Sequence, residues 1–360
     1  MVCNARRLAA LSGAALSLAL ITASANAGPA MLSPSALVND VLAITTNNGS
    51  QQIEILIGPE PGVVRIIGVD GIPDAPFTGI TAIDLRTGSG QDAIEVRVFT
   101  AEAPDLFINT GSNQSDVKVI YEVATFAASA QSTVSITGGT SDDKVAFEVL
   151  STADTFVADW TVVHGNGNNE TKVMYDAPEA ASLASITLAT TSGSGEDKLD
   201  TQVKSGAADV DLDIYALLGA GNDSAIVNIS EQFPGFTRLA LDINLGRGID
   251  VGEIVTVLQG GQTAQSGRVL GGADSDFLKL LQEGTGVNNV LLNAGAGDDS
   301  TEMEFKGAVT GAPKQRASDG NDFLKLVATN PAILNPLLDG GAGFDIAIGF
   351  GRIINVEQID

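Results

Sequence analysis

The chain has 360 residues, with 44 acids against 19 basic residues and a net charge of −25, yet 44% of it is hydrophobic and its mean hydropathy is positive. So acidic a surface repels nucleic acid and anionic lipid and attracts divalent cations. So large an apolar fraction excludes a disordered acidic tail and is enough for a core. With one Trp and three Tyr, that core suits thin repeated layers of Val, Ile, Leu and Ala better than one large globule.

The first segment, "MVCNARRLAALSGAALSLALITASANA", carries Arg6 and Arg7, an apolar run from Leu8 to Ile21 and the small-residue end Ala25-Asn26-Ala27. This reads as a secretory signal peptide over residues 1–27. The run is too short, and too interrupted by Ser12, Gly13 and Ser17, for a membrane anchor. Cleavage removes two arginines and no acid, moving the net charge from −25 to −27, and it removes Cys3, the one cysteine. Disulfides and thiol chemistry are thereby excluded. No later segment is long and apolar enough to span a bilayer. The expectation is an exported protein, periplasmic, extracellular or at the cell surface, and bacterial in character.

Residues 28–80 are expected to form an N-terminal cap and a degenerate first coil. "TTNNGSQQIEILI" (Thr45–Ile57) resembles the later units with Gln51 in place of an acid. "GPEPGVVRIIGVDGIPDAPFTG" (Gly58–Gly79), with four of the twelve prolines, reads as an inserted turn or end cap.

From there to residue 350 one unit recurs: a period-two apolar run, a Gly-rich turn closed by an acid or amide, and a second period-two run. The closing residues are Asp92, Asp116, Asp143, Asn169, Asp197, Asp223, Asp250, Asp276, Asp299, Asp322 and Asp345, at steps of 23 to 28 residues. "DFLKL" occurs at Asp276–Leu280 and again at Asp322–Leu326, two steps of 23 apart. Alternation with β-branched residues means half-buried strands. Glycine supplies backbone shapes closed to other residues, and Asp or Asn can bond its own turn. Helical periodicity is nearly absent; its best instance, "DFLKLLQE" (276–283), is short.

A repeat of this length predicts an all-β fold, a parallel β-solenoid of 11–12 coils of 23–28 residues, each holding about three short strands. Parallel crossovers favour a right-handed path. Propeller blades need about 40 residues, and a sandwich would not place the same turn in every unit. Residues 351–360, "GRIINVEQID", are expected to cap the far end.

Stacking brings the closing carboxylates close together. Like charges 5 Å apart repel by roughly 0.8 kcal/mol in water and about 3 kcal/mol at an effective dielectric of 20. A hard cation with six to eight oxygen ligands would offset this. Lys118, Lys144, Lys172, Lys198, Lys279 and Lys325, which follow many of the turns, are the other means of compensation.

Gly340-Gly341-Ala342-Gly343-Phe344-Asp345 matches the Gly-Gly-x-Gly-x-Asp start of the RTX (hemolysin-type) calcium-binding repeat. Gly219/Gly221/Asp223, Gly246/Gly248/Asp250, Gly193/Gly195/Asp197, Gly295/Gly297/Asp299 and Gly88/Gly90/Asp92 match its Gly-x-Gly-x-Asp core. Gly272/Asp276 and Gly320/Asp322 match in part. The chain resembles that family in a variant with one turn per coil, whereas family coils are shorter, with two turns. The resemblance implies Ca²⁺ held between stacked turns by Asp197, Asp223, Asp250, Asp276, Asp299, Asp322 and Asp345. Carbonyls at Gly219, Gly221, Gly246, Gly248, Gly341 and Gly343 would complete the ligand sets. Family members leave by a C-terminal export signal, so that route does not carry over.

Catalytic signals are sparse. The one histidine, His164, lies in a Gly-rich stretch and reads as a plain turn residue; alone it builds no usual zinc site. The rival to a structural or adhesive protein is a polysaccharide lyase or hydrolase on a right-handed β-helix, with Asp142/Asp143 or Asp298/Asp299 as acid–base pairs. Adjacent strand residues point to opposite faces, which weakens that reading. The expected function is a non-enzymatic calcium-binding solenoid whose partners are calcium and a cell-surface polysaccharide or another surface protein.

Overall fold

Alternation sets the building unit. In the strand Leu183–Thr191, Ala184, Ile186, Leu188 and Thr190 are buried while the residues between them face outward. After the turn, in Lys198–Ser205, Leu199, Thr201 and Val203 face back into the same interior. Such a coil is two strands whose inward residues meet across a narrow core, each fully buried Leu, Ile or Val contributing roughly 1.5–3 kcal/mol. The computed structural model describes residues 37–359 apart from 39, 47, 70–74, 124–128, 152–153, 178–182, 206–208 and 232–234. The expected signal segment, 1–27, lies outside the described residues.

The coils stack as a parallel β-solenoid, as the repeat predicts. On the face after the turn, one register line runs through Gln52, Ala93, Asp116, Lys144, Glu170, Lys198 and Ser224. It continues through Val251, Phe277, Ser300, Phe323, Ile346 and Gln358. The face before the turn stacks Ala82–Arg86, Asp105–Asn109, Ser129–Thr137, Thr155–Val163, Leu183–Thr191, Asp209–Leu217 and Phe236–Arg247 in the same way. Antiparallel strand pairing among the described residues is confined to the N-terminal end, where Leu37–Val38 pairs with Val41–Thr45 and Gln52–Ile57 with Val64–Ile67. No helix among the described residues is long and apolar enough to cross a membrane.

Two expectations change. Strand number varies: coils such as that of Leu183–Thr191 and Lys198–Ser205 hold two strands of eight or nine residues, Val251–Ala273 and Phe277–Ala296 each run as one long strand, and the coil of Ser300–Lys306, Val309–Gly311 and Lys314–Arg316 holds the expected three. The second coil is closed by Ser115, not Asp116: Ser115 pairs with both Asp92 and Asp143, and Asp116 points outward. Burying Val117 and Val119 fixes that register, and a one-residue slip would turn both to solvent. The segment "DFLKLLQE" is extended, most of it opening the long strand Phe277–Ala296.

Five of the 17 aromatic residues form one buried cluster. Phe147 and Trp160, from opposite faces of the coil, stack with centroids 4.3 Å apart at 4°. Tyr121 stacks on Trp160 at 5.9 Å, and Phe156 meets Tyr121 edge-on at 5.5 Å. The Trp160 indole N–H donates to Ser132 Oγ at 2.9 Å, and the Tyr121 hydroxyl bonds the same oxygen. Replacing Trp160 with Ala should therefore destabilise the protein by about 3–5 kcal/mol. Thermal or denaturant unfolding followed by near-UV circular dichroism measures this; a loss below about 1 kcal/mol would contradict the packing described.

Candidate functional site: a buried carboxylate column

The turns closed by Asp223, Asp250 and Asp345 are each shaped by two glycines. Those four residues before the closing Asp have φ near +105° to +115° (Gly219, Gly246 and Gly341), and those two before it reach +126° to +150° (Gly221, Gly248 and Gly343). Sterics impose the choice a second time. A Cβ on Gly221 would run into the Gly195 carbonyl oxygen of the preceding coil, and one on Gly343 into that of Gly320. Turn backbones therefore stack in contact. Asp274 takes the second position in one coil at φ 79°, a shape Asp adopts more readily than most residues.

Close stacking lines up the closing residues as a column. Each buried Asp accepts, on Oδ1, the backbone N–H of the closing residue one coil earlier. Asp197, Asp223, Asp250 and Asp276 donate in turn to Asp223, Asp250, Asp276 and Asp299 at 2.7–2.9 Å. Asp299 donates to Asp322, and Asp322 to Asp345, both at 2.9 Å. The column starts at Gln51, whose N–H bonds Asp92 at 3.0 Å, and ends at Glu357, whose Oε2 takes the Asp345 N–H at 2.8 Å. All seven expected acids, Asp197 to Asp345, are brought together here. Glu357 escaped the sequence reading because the last step is 12 residues long and lacks the glycines; its signal is the alternation of "RIINVEQI".

The second oxygen of each carboxylate is in a different position. Oδ2 of Asp92, Asp197, Asp223, Asp250, Asp276, Asp299, Asp322 and Asp345 is buried with no hydrogen-bond partner. Burial pushes Asp92 and Asp197 upward, Asp223 and Asp276 to about 7, and Asp250, Asp299 and Asp322 to about 6. Neighbouring carboxylates add to the shift at Asp223, Asp276 and Asp322. Three of the lysines that follow the turns are engaged elsewhere. Lys118, Lys279 and Lys325 pair instead with Glu148, Glu253 and Glu302 on the outer strand face.

Asn169 shows what surrounds that second oxygen. Its Oδ1 accepts the Asp143 N–H at 3.0 Å, like any rung of the column. Its Nδ2 then occupies the place of Oδ2, donating to the Gly167 carbonyl at 2.9 Å, the Gly165 carbonyl at 3.3 Å and Asp197 Oδ1 at 2.8 Å. In the Asp143 turn the oxygen in that place accepts the Gly139 N–H at 2.9 Å, whereas in the turns from Asp197 to Asp345 a carboxylate oxygen without a hydrogen-bond partner replaces that nitrogen. Such a donor set, carboxylate and carbonyl only, fits a hard cation such as Ca²⁺ and does not suit zinc. No group of three or more His, Cys, Asp or Glu that could hold a metal ion occurs among the described residues. Each coil brings one acid to the column, so carbonyls would have to complete any ligand set.

A second ladder lies outside the first. Asp142, Asn168, Asn222, Asp298 and Asn321 each accept the N–H of the following coil's equivalent residue at 2.7–3.1 Å. The adjacent acids Asp142/Asp143 and Asp298/Asp299 are therefore split between the outer ladder and the inner column. His164 is not a plain turn residue. It is buried, with Nε2 2.8 Å from Thr171 Oγ1, and burial lowers its pKa to about 4. No family model, curated protein or solved structure matches the chain.

The raised acids make a signed prediction. Unfolded, they titrate near 3.9; folded, near 6 to 7. The folded chain then binds more protons, so this stability is complete below about pH 4 and is lost as pH rises through 6 to 7. Melting temperature in EDTA should fall from pH 5 to pH 8, and Asp223→Asn with Asp276→Asn should flatten the slope. A melting temperature that rises over this range would contradict the assignment.

Proposed function

We propose that this chain is an exported, calcium-binding β-solenoid of the RTX type with one turn per coil, serving a structural or adhesive role at the cell surface. The observation that carries the reading is the column from Asp197 to Asp345, whose buried Oδ2 atoms have no hydrogen-bond partner. Ca²⁺ supplies positive charge to such a column without requiring a proton. Asp197, Asp223, Asp250, Asp276, Asp299, Asp322 and Asp345 would hold it, with turn carbonyls at Gly219, Gly221, Gly246, Gly248, Gly341 and Gly343. The net charge of −25 favours the approach of cations to the whole rod.

Loading is then linked to stability by mass action. Calcium at a hundred times its dissociation constant adds about 2.7 kcal/mol per site. Surface attachment follows from the same design, because a cation-stiffened rod presents two long strand faces to a polysaccharide or another surface protein. The rival reading, a polysaccharide lyase or hydrolase, gains no support from the acid pairs it would use, since each pair is divided between two hydrogen-bonded ladders.

A thermal melt at pH 7.5 with excess Ca²⁺, excess Mg²⁺ or EDTA tests the proposal. The melting temperature should be highest in Ca²⁺ and lowest in EDTA; equal values in all three would leave a metal-free turn repeat. Incubation with acidic and neutral polysaccharides at millimolar Ca²⁺ should release neither unsaturated nor reducing ends, and release of either would favour the enzyme.

A further inference from the structure

The column changes character at Asn169. On its N-terminal side the rungs are Gln51, Asp92, Ser115, Asp143 and Asn169, so no two carboxylates are adjacent. Neutral donors satisfy both oxygens of Asp143, while Asp92, flanked by Gln51 and Ser115, keeps a buried Oδ2 without a hydrogen-bond partner. Ser115 Oγ donates to Asp143 Oδ1 at 2.7 Å, and Gly139 N–H donates to Asp143 Oδ2 at 2.9 Å. Asn169 Nδ2 then donates to Asp197 Oδ1 at 2.8 Å. From Asp197 to Asp345 the rungs are carboxylates without interruption, 3% exposed or less, each with an unpartnered Oδ2.

The interior changes with it. The aromatic stack of Tyr121, Phe147, Phe156, Trp160 and Tyr175 packs the coils on the neutral side. The acidic side has no such stack among its described residues, and its core includes buried amides. Asn288 bonds Gln265 and Gln282, whose Nε2 atoms have no partner.

We propose that Asn169 divides the solenoid into two segments. The N-terminal segment separates its carboxylates with neutral rungs and folds without metal. The C-terminal segment, from Asp197 onward, needs a divalent cation to order its coils. This rests on the calcium reading above and extends it: Asn169 is a positioning residue that ends the cation-binding run by filling the next position with an amide. The rod therefore has a permanently ordered half and a half whose order follows the surrounding calcium level.

Hydrogen exchange of the full chain, in Ca²⁺ and in EDTA, tests this division. In EDTA, amides of Ser224–Glu231 and Ser300–Lys306 should exchange at least about tenfold faster than in Ca²⁺, while those of Asp143–Ser151 and Thr155–Val163 change by less than about twofold. A triple variant, Asp223→Asn, Asp276→Asn and Asp322→Asn, restores alternation and should exchange in EDTA within about twofold of the calcium-loaded protein. The converse variant, Asn169→Asp, should make Thr155–Val163 sensitive to EDTA. Equal protection of both segments by Ca²⁺ overturns the division and leaves the calcium reading standing. If Ca²⁺ affects neither segment, the calcium reading falls and the triple variant decides. Slower exchange than the wild type in EDTA then keeps the division at Asn169, and unchanged exchange overturns it.

Discussion

At the corners from Ser115 to Asp345 one backbone N–H, that of the closing residue, points along the stack and is met by a side chain of the next coil rather than by a strand carbonyl. Its own carbonyl is used by the next coil: Asp197 O accepts from Ser224 N–H, and Asp223 O from Val251 N–H, both at 2.9 Å. The N–H is buried, and an unpaired buried amide costs about as much as a lost hydrogen bond. The carboxylate of the following coil takes it. That bond fixes the spacing of the turns, the identity of the closing residue and the need for glycine beside it, because the carboxylate reaches its donor only when the turn backbones touch.

The solution carries a cost of its own. A carboxylate that caps one amide with Oδ1 buries a second oxygen, and stacking repeats the problem every coil. The chain meets it in two chemically distinct ways. Where Ser115 and Asn169 interrupt the column, a neutral side chain donates to the neighbouring acid. Where Asp follows Asp, the positive partner has to come from a proton or a metal ion. Buried carboxylates with raised pKa values and all-oxygen surroundings are what either partner requires.

Outward-facing charge plays a separate part. Lys279 with Glu253 and Lys325 with Glu302 form cross-coil pairs on an exposed strand face. Each contributes little in water, but they keep like charges from stacking opposite one another. The outer ladder of Asn and Asp side chains in the turns is likewise a backbone cap, pointing the opposite way along the rod from the inner one. Together the two ladders pair amides on both sides of each turn, which is how an irregular segment survives at the corner of a parallel stack.

The sequence by itself determined the repeat, the parallel stacking and the seven acids from Asp197 to Asp345, because period-two burial and glycine turns are local properties that recur along the chain. It also pointed to Gln51 as an early rung, through the alternation that follows it. The sequence could not decide which of two neighbours, Ser115 or Asp116, joins the column, since that depends on whether Val117 and Val119 face the core of an adjacent coil. Nor could it separate the two oxygens of one carboxylate, one capped by the neighbouring coil and one left bare. Asn169 read as a lost acid in the sequence. Only with Gly165, Gly167 and Asp197 around it does its amide become the neutral rung of the column, because those contacts join residues up to 28 positions apart.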